Sequence, residues 1–490
     1  MSYRRVKIVA TVGPSLATKE SLIEATKKGM NVVRLNFSHG THEDHLKTIN
    51  WIKEIRAEYK VPLALLQDLQ GPKIRVTKFK DGPIELVEGQ EVVLSPKFEV
   101  GERGKIGVDL ESLPSVVKEG SKIRIDDGLI DLRVLRVEGD MVYCIVIEGG
   151  QVKERKGVNI PGAQLPIACL TAKDLNDLEF GLKHGVDYVA LSFVRKRSDI
   201  EELRDIIDAN STDIRIIAKI EMLEALDNLD SIIEVSDAVM VARGDLAVEV
   251  GQERLPGIQK EIIKLSNSLG KPVITATQML DSMVTRTTPT RAEVTDVANA
   301  VLDGSDALML SAETASGRHP DKCIETMSNI ISEVEKSAAY YMDKDIRGSF
   351  SGIADAVSAS ACLSARKLAA TAIVCLSTSG RTAIRISAYR PAANIIAVTD
   401  SQSEQALNRL SLAWGIRTMQ IDPYESSDEA FAQIEDRLLR YGLAKPGDQV
   451  IMTLGLPVAS KAKTNSMRIN IVSERETSAI PKEGLPLRYR

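Results

Sequence analysis

The chain is poor in cysteine, with five in 490 residues, at Cys144, Cys169, Cys323, Cys362 and Cys375. The count is odd and no two form a CxxC pair. A disulfide framework is therefore excluded, and a reducing compartment, the cytoplasm, is the expected location. Long apolar runs are also missing. No stretch approaches the roughly 18 uninterrupted apolar residues that span a bilayer, so no membrane partner is expected. The opening MSYRRVKIVATVGPS breaks at Gly13-Pro14, too soon for a signal sequence, and reads as a first buried strand. A basic patch is lacking too: Lys and Arg are scattered and the net charge is -5, which gives no reason to expect nucleic acid.

What is present fits a soluble globular protein, 43% hydrophobic and 27% charged. A chain of 490 residues exceeds one ordinary core, so two to four domains are expected. Eight short β-branched runs recur, namely VKIVATVG, NVVRLNFSH, PLALLQDLQ, DYVALSFVR, RIIAKIE, DAVMVARGD, PVITATQM and DALMLSAET. Helical stretches such as TKESLIEATKKG and RAEVTDVANAVLDG separate most of them. Strands alternating with helices imply parallel strands with right-handed crossovers, and eight units imply a (β/α)₈ TIM barrel. Residues 72–165 interrupt this alternation with frequent Gly, the turn pairs Asp81-Gly82 and Asp127-Gly128, and short alternating runs such as MVYCIVI. They read as a small β-barrel domain inserted in a barrel loop as a lid. The barrel then comprises 1–71 and 166–345. Residues 346–475 restart a βα alternation (TAIVCLS, NIIAVTD, GIRTMQI, QVIMTLG, RINIV), which reads as a doubly wound α/β domain, and 476–490 form a tail.

In such a barrel the chemistry sits at the C-terminal ends of the strands. Residues two apart on a strand share a face. That rule pairs Arg34 with Asn36 and Ser38, Lys219 with Glu221, Arg243 with Asp245, Thr275 with Thr277, and Ser311 with Glu313, while Asp68 ends the third run. A single polar residue there is usually a cap or turn, but this many across six runs points to a site. Carboxylates from separate strands suit Mg²⁺ (or Mn²⁺), and cations around them suit phosphates. The chemistry implied is phosphoryl transfer, or enolate chemistry on a phosphorylated acid. A lyase or mutase on a related enolate, and a non-catalytic metabolite sensor, are the competing readings.

The motifs MNVVRLNFSHG, DLQGPKIR, KGVNIPG, AKIE, VMVARGDL, ITATQML, PTRAEVTDVANAV and DALMLSAETA stand in an order that strongly resembles the pyruvate kinase family. The resemblance implies transfer of phosphate from phosphoenolpyruvate to ADP, giving pyruvate and ATP, in a homotetramer. It implies that Glu221 and Asp245 hold the divalent metal and that Lys219 and Arg34 contact the phosphoryl group. Gly244, Asp245 and Thr277 would border the substrate carboxylate, and Thr277, with Ser311 and Glu313 behind it, would serve the proton route to the enolate. Asn36, Phe37, Ser38, His39, Arg75 and Lys156 would face the nucleotide. Asn36, Ser38, Asp68 and the carbonyl of Leu69 match the family's monovalent-cation site. Many members carry Thr and Glu where this chain has Leu69 and Lys73, and the set here resembles the branch that works without K⁺. A Lys ammonium is a compact charge on a flexible stem, so Lys73 is expected to replace the cation.

In the C-terminal domain, LSTSGRTA follows a strand and opens a helix. Ser377, Thr378, Ser379, Gly380, Arg381 and Thr382 form a phosphate cradle or an ordinary helix cap. The resemblance favours an allosteric effector's phosphate, with AMP or a sugar phosphate as candidates and residues 453–468 completing the pocket. His39, His42 and His45 recur at three-residue spacing but lack a convergent carboxylate partner, so zinc is not expected. The small residues of the helix at 353–367 are expected to face a subunit interface.

Overall fold

The computed structural model describes residues 3–341, 352–400, 404–458 and 462–473. The expected tail at 476–490, the junction near 345 and part of the 453–468 segment lie outside the described residues.

Eight parallel strands close into a barrel: β1 (Lys7–Val12), β2 (Val32–Asn36), β3 (Ala64–Asp68), β4 (Tyr188–Leu191), β5 (Arg215–Ile220), β6 (Ala238–Ala242), β7 (Val273–Ala276) and β8 (Ala307–Leu310). Each pairs with its neighbours in sequence, and β1 meets β8 through Lys7↔Ala307 to close the ring. Helices between the strands cover the outside. Several are fixed by capping boxes, in which a Thr and a residue three positions on satisfy free N–H groups: Thr41 with Asp44, Thr171 with Asp174, and Thr290 with Glu293.

The barrel lumen is a packed core rather than a pore. Val9, Val32, Ala64, Leu66, Tyr188, Ala190, Ile217, Ala238, Met240, Ile274, Ala276, Ala307 and Met309 fill it, all buried. Leu412, from the C-terminal part of the chain, closes its lower end. These residues define which parity of each strand faces inward. Two residues further along each strand, the same parity delivers the polar groups described below.

Between β3 and the helix Ala172–His184 the chain builds a second core. Its main sheet has six strands, in the order Val158–Asn159, Lys122–Ile125, Ile130–Glu138, Met141–Glu148, Glu91–Ser95 and Lys105–Gly107. Period-two patterning sets its faces: in Met141–Glu148, Val142, Cys144 and Val146 are buried while their neighbours are partly open. The inserted unit meets the barrel around the helix Arg243–Val250, where Arg124 donates to the carbonyl of Val248 and Asn159 Nδ2 lies 3.4 Å from Glu249 Oε1.

The C-terminal unit is a five-stranded sheet ordered Ile416–Ile421, Asn394–Asp400, Ala372–Leu376, Gln449–Leu454, Ser466–Ile471. The first four strands run parallel and the last is antiparallel. The helix Ile353–Lys367 buries its small residues Ser358, Ala361 and Ala365 against this sheet, which lets it sit close. Its exposed face carries the small residues Ala356 and Ser360 together with Ile353 and Leu363.

A buried ion pair ties this unit to the foot of the barrel. Arg390 Nη1 and Nη2 donate to Asp306 Oδ1 and Oδ2 at 3.1 and 2.9 Å, just below β8. Asp306 also accepts from the N–H groups of Trp414 and Val273, and the Arg390 guanidinium stacks over the Trp414 ring. Removing one member strands a buried charge, which costs about 3–5 kcal/mol. Arg390→Met is therefore expected to lower the thermal unfolding midpoint by several degrees; an unchanged midpoint would show that this contact does not anchor the C-terminal unit.

Candidate active site

Extending the inward parity past the apolar layers brings Thr11, Arg34, Asp68, Ser192, Lys219 and Ser311 to the upper end of the barrel. Asp68, 1% exposed, is at the centre. Arg34 Nε donates to its Oδ2 at 2.7 Å, and Lys219 Nζ lies 3.4 Å from its Oδ1. Burial alone would push the Asp68 carboxyl up; Lys219 and Arg34 outweigh it and hold the group below the usual carboxylate range. Lys219 mirrors this: burial pulls its ammonium down, and Asp68 with Glu221 more than offset that, leaving it above the ordinary value. Arg34 Nη1 also donates to Thr11 Oγ1 at 2.9 Å, which fixes the guanidinium in the plane of the ring of strands.

Glu221 is fully buried. Its Oε1 accepts the Phe193 N–H at 2.7 Å, while its Oε2 accepts no hydrogen bond and lies 3.4 Å from Lys219 Nζ. Burial, and then Asp245 nearby, push this carboxyl well above the ordinary range despite Lys219. A buried carboxylate oxygen without a donor, beside a second carboxylate, suits a hard dication that takes few protein ligands and completes its shell with water or substrate oxygens. Among the described residues no group of three or more His, Cys, Asp or Glu could by itself hold a metal ion. His42 Nε2 pairs with Asp177 at 2.7 Å, a carboxylate partner that the spacing did not reveal, and His45 stacks on Phe37.

Thr277 follows β7 at φ 73°, a left-handed conformation that is an outlier for a β-branched residue. Arg243 holds it there. Its Nη2 donates to the Thr277 carbonyl at 2.6 Å, its Nε reaches the Ala276 and Thr277 carbonyls at 3.2 Å, and its Nη1 is anchored by both oxygens of Asp296 at 2.8 and 2.9 Å. The strained turn presents Thr277 Oγ1 to the Gly244 N–H at 3.0 Å, at the start of the helix Arg243–Val250. Glu313 accepts the N–H groups of Leu280 and Ser311, and Ser311 Oγ is buried without a hydrogen-bond partner.

The other expected residues fall into two groups. Asn36 stands opposite Asp68 in the β2–β3 register and its Oδ1 accepts the Ser38 N–H; the His39 carbonyl accepts from His45. Arg75 and Lys156 lie on adjacent segments of the inserted unit, where the Val76 N–H donates to the Lys156 carbonyl, Arg75 Nη1 donates to the Arg155 carbonyl and Lys156 Nζ pairs with Asp126 at 2.8 Å. Lys73 Nζ sits 3.5 Å from Asp245, with its stem against Gly157 of the inserted unit. Its ammonium is thus beside Asp245, while Asp68 is occupied by Arg34 and Lys219 and the Leu69 carbonyl by Ser192 Oγ at 2.7 Å. Ser192 is the residue that sequence reasoning passed over. It accepts from Lys219 Nζ at 2.6 Å, and the alternation Tyr188, Ala190, Ser192 in the fourth run was the signal that places it inward.

A barrel with clustered cations and carboxylates at its upper rim, under an inserted unit that carries further cations, defines an enzyme for metal-assisted chemistry on anionic substrates. A family model described as the pyruvate kinase barrel domain matches residues 3–324, and one for the pyruvate kinase alpha/beta domain matches 355–470. The chain is 43% identical over 477 residues to a pyruvate kinase of Geobacillus stearothermophilus, covering 96% of this chain and 81% of that one. It is 41% identical over 475 residues to one of Staphylococcus aureus, with the same coverage. A crystal structure of a pyruvate kinase from Cryptosporidium parvum superposes with a TM-score of 0.91 at 37% identity and covers 96% of each chain. The chain belongs to the pyruvate kinase family. Its substrates are accordingly phosphoenolpyruvate and ADP and its products pyruvate and ATP.

Arg243→Lys keeps the charge but loses the planar fork that spans Asp296 and the Thr277 carbonyl. With Thr277 free to relax, kcat/KM is expected to fall roughly a hundredfold at unchanged circular dichroism. Near-normal kinetics would show that Arg243 does not hold the turn.

Proposed function

We propose that Glu221 and Asp245 would hold a Mg²⁺ (or Mn²⁺) ion beside the substrate. The observation that carries this reading is the donor-free buried Oε2 of Glu221, facing Lys219. The metal, when bound, supplies Lewis-acid polarisation of the substrate oxygens. Lys219 and Arg34, already fixed by Asp68, offer their charges to the phosphoryl group as it passes between donor and acceptor, without reorganisation at the moment of transfer. Gly244, Asp245 and Thr277 border the substrate carboxylate and serve it through backbone N–H groups, for which the Thr277 hydroxyl must release the Gly244 N–H. Thr277, with Ser311 and Glu313 behind it, lies on the proton route to the enolate. Asn36, Ser38 and His39 from the barrel, and Arg75 and Lys156 from the inserted unit, face the nucleotide phosphates, so that closing the unit expels water, while Phe37, buried with its N–H on the Asp68 carbonyl, is turned away from them.

In this reading Lys73 supplies the charge of the family's monovalent cation from beside Asp245 rather than from the position formed by Asn36, Ser38, Asp68 and Leu69, and activity is independent of K⁺. The loop Ser377 to Thr382 binds the phosphate of an activator, AMP or a sugar phosphate. Support comes from a cavity of about 960 Å³ into which this loop, Arg381, Arg385 and Lys463 project. Assembly as a homotetramer is supported by the sheet-edge strand Ser466–Ile471, whose Met467, Ile469 and Ile471 are exposed beside Ile353 and Leu363. A cytoplasmic location is in keeping with five free thiols, four of them buried, and with no described helix long and apolar enough to cross a membrane.

The experiment is pyruvate formation from phosphoenolpyruvate and ADP with Mg²⁺, first free of K⁺ and then with KCl. Full activity without K⁺ is expected, and Lys73→Glu with Leu69→Thr should make turnover depend on added K⁺. Activity only with K⁺ in the unmodified chain would remove Lys73 from this role and leave the kinase reading in place.

A further inference from the structure

The two residues that follow β4 touch both the hinge of the inserted unit and the charged centre. Ser192 Oγ donates to the Leu69 carbonyl at 2.7 Å and accepts from Lys219 at 2.6 Å. Phe193 is held at φ 57°, uncommon for a bulky residue, which aims its N–H at Glu221 Oε1 2.7 Å away. Its ring lies on Gly71, where the chain leaves β3 for the inserted unit. A Cβ at Gly71 would come within 2.6 Å of the ring and 3.0 Å of Ser192 Cβ. Gly71 is itself at φ 69°, and its N–H is gripped by Asp174 Oδ1 at 3.1 Å, so this contact is fixed from both sides. Cys169 Sγ donates to the Ser192 carbonyl at 3.1 Å and steadies the turn from behind.

Such packing has no slack. A rotation of the backbone at Gly71, the motion that swinging the inserted unit requires, must displace the Phe193 ring. The ring and the amide that orients Glu221 belong to one residue in a strained conformation. We propose that the Ser192–Phe193 turn is the mechanical link through which the hinge at Gly71 sets the positions of Glu221 and Lys219, so that metal affinity follows the position of the inserted unit. Both are positioning residues, and the inference rests on Glu221 being a metal ligand.

The test is direct Mn²⁺ binding to the full chain without substrate, followed by the electron paramagnetic resonance of the free ion. Gly71→Ala is expected to weaken binding on the order of tenfold, the effect of disturbing a group that orients a metal ligand. Phe193→Ala alone keeps the N–H and should bind nearly as the parent does. The double variant, in which the vacated ring space accepts the new methyl, should regain most of the loss. Asp174→Asn retains a helix-capping side chain and loosens the hinge from outside the site; it should weaken binding several-fold even if Gly71→Ala does not fold. Unchanged affinity in Gly71→Ala or in Asp174→Asn, or a Gly71→Ala loss that Phe193→Ala does not relieve, overturns the link. No Mn²⁺ binding by the parent, or parental affinity in Glu221→Gln, would overturn the metal reading itself and the link with it.

Discussion

Everything at the upper end of this barrel depends on one buried carboxylate, Asp68. Burying a charge is costly unless it is paired and hydrogen-bonded, and Asp68 is paired twice, by Arg34 from the strand before it and by Lys219 from two strands further round the ring. The pairing works in both directions. The carboxylate makes it tolerable to hold a guanidinium and an ammonium out of water, and they keep it ionised. The cations are thereby fixed in place before any substrate arrives, which is the condition under which electrostatic stabilisation of a transferring phosphoryl group is strongest. Glu221 is the complement: a carboxylate left with one unpartnered oxygen, so that the cluster is satisfied only in part by the protein alone.

The rest of the fold packs this cluster from below and joins it to the inserted unit above. Apolar layers fill the lumen beneath it, and Leu412 and the Arg390–Asp306 pair lock the C-terminal unit against the barrel foot. Above it, the stretch Gly71-Pro72-Lys73 leads straight from Asp68 into the inserted unit, so the residue that anchors the charges also adjoins the hinge. This accounts for LQDLQGPKIR, a buried strand that ends in an acid and two bases. The acid organises the upper end of the barrel, and the bases lead into the inserted unit.

Much of this was legible in the sequence because one periodicity does most of the work. The period-two inward parity that places Val9, Leu66 and Ile217 in the lumen also places Thr11, Asp68 and Lys219 above it. Ser192 escaped notice because a lone hydroxyl at a strand end reads as a cap, and nothing in its own run reveals Lys219 on the neighbouring strand. Lys73 beside Asp245 was hidden for a related reason: a flexible four-carbon stem has several partners within reach, and only the fold of the inserted unit chooses among them. The small residues of Ile353–Lys367 marked close packing, and three of them, Ser358, Ala361 and Ala365, pack on the domain's own sheet, a neighbour that small side chains do not name in advance. The strained turn at Thr277 left no local signature, because its conformation is imposed by Arg243 from another strand end.

The most direct measurement is kcat at saturating phosphoenolpyruvate, ADP and Mg²⁺ for Asp68→Asn, with circular dichroism to establish that the barrel is intact. The amide is nearly isosteric but cannot balance two cations. If Asp68 is the anchor on which Arg34 and Lys219 depend, turnover falls by at least about a hundredfold in a folded protein. Turnover within a few-fold of the parent would mean that the two cations are placed by something else, and the account of this site would be wrong at its centre.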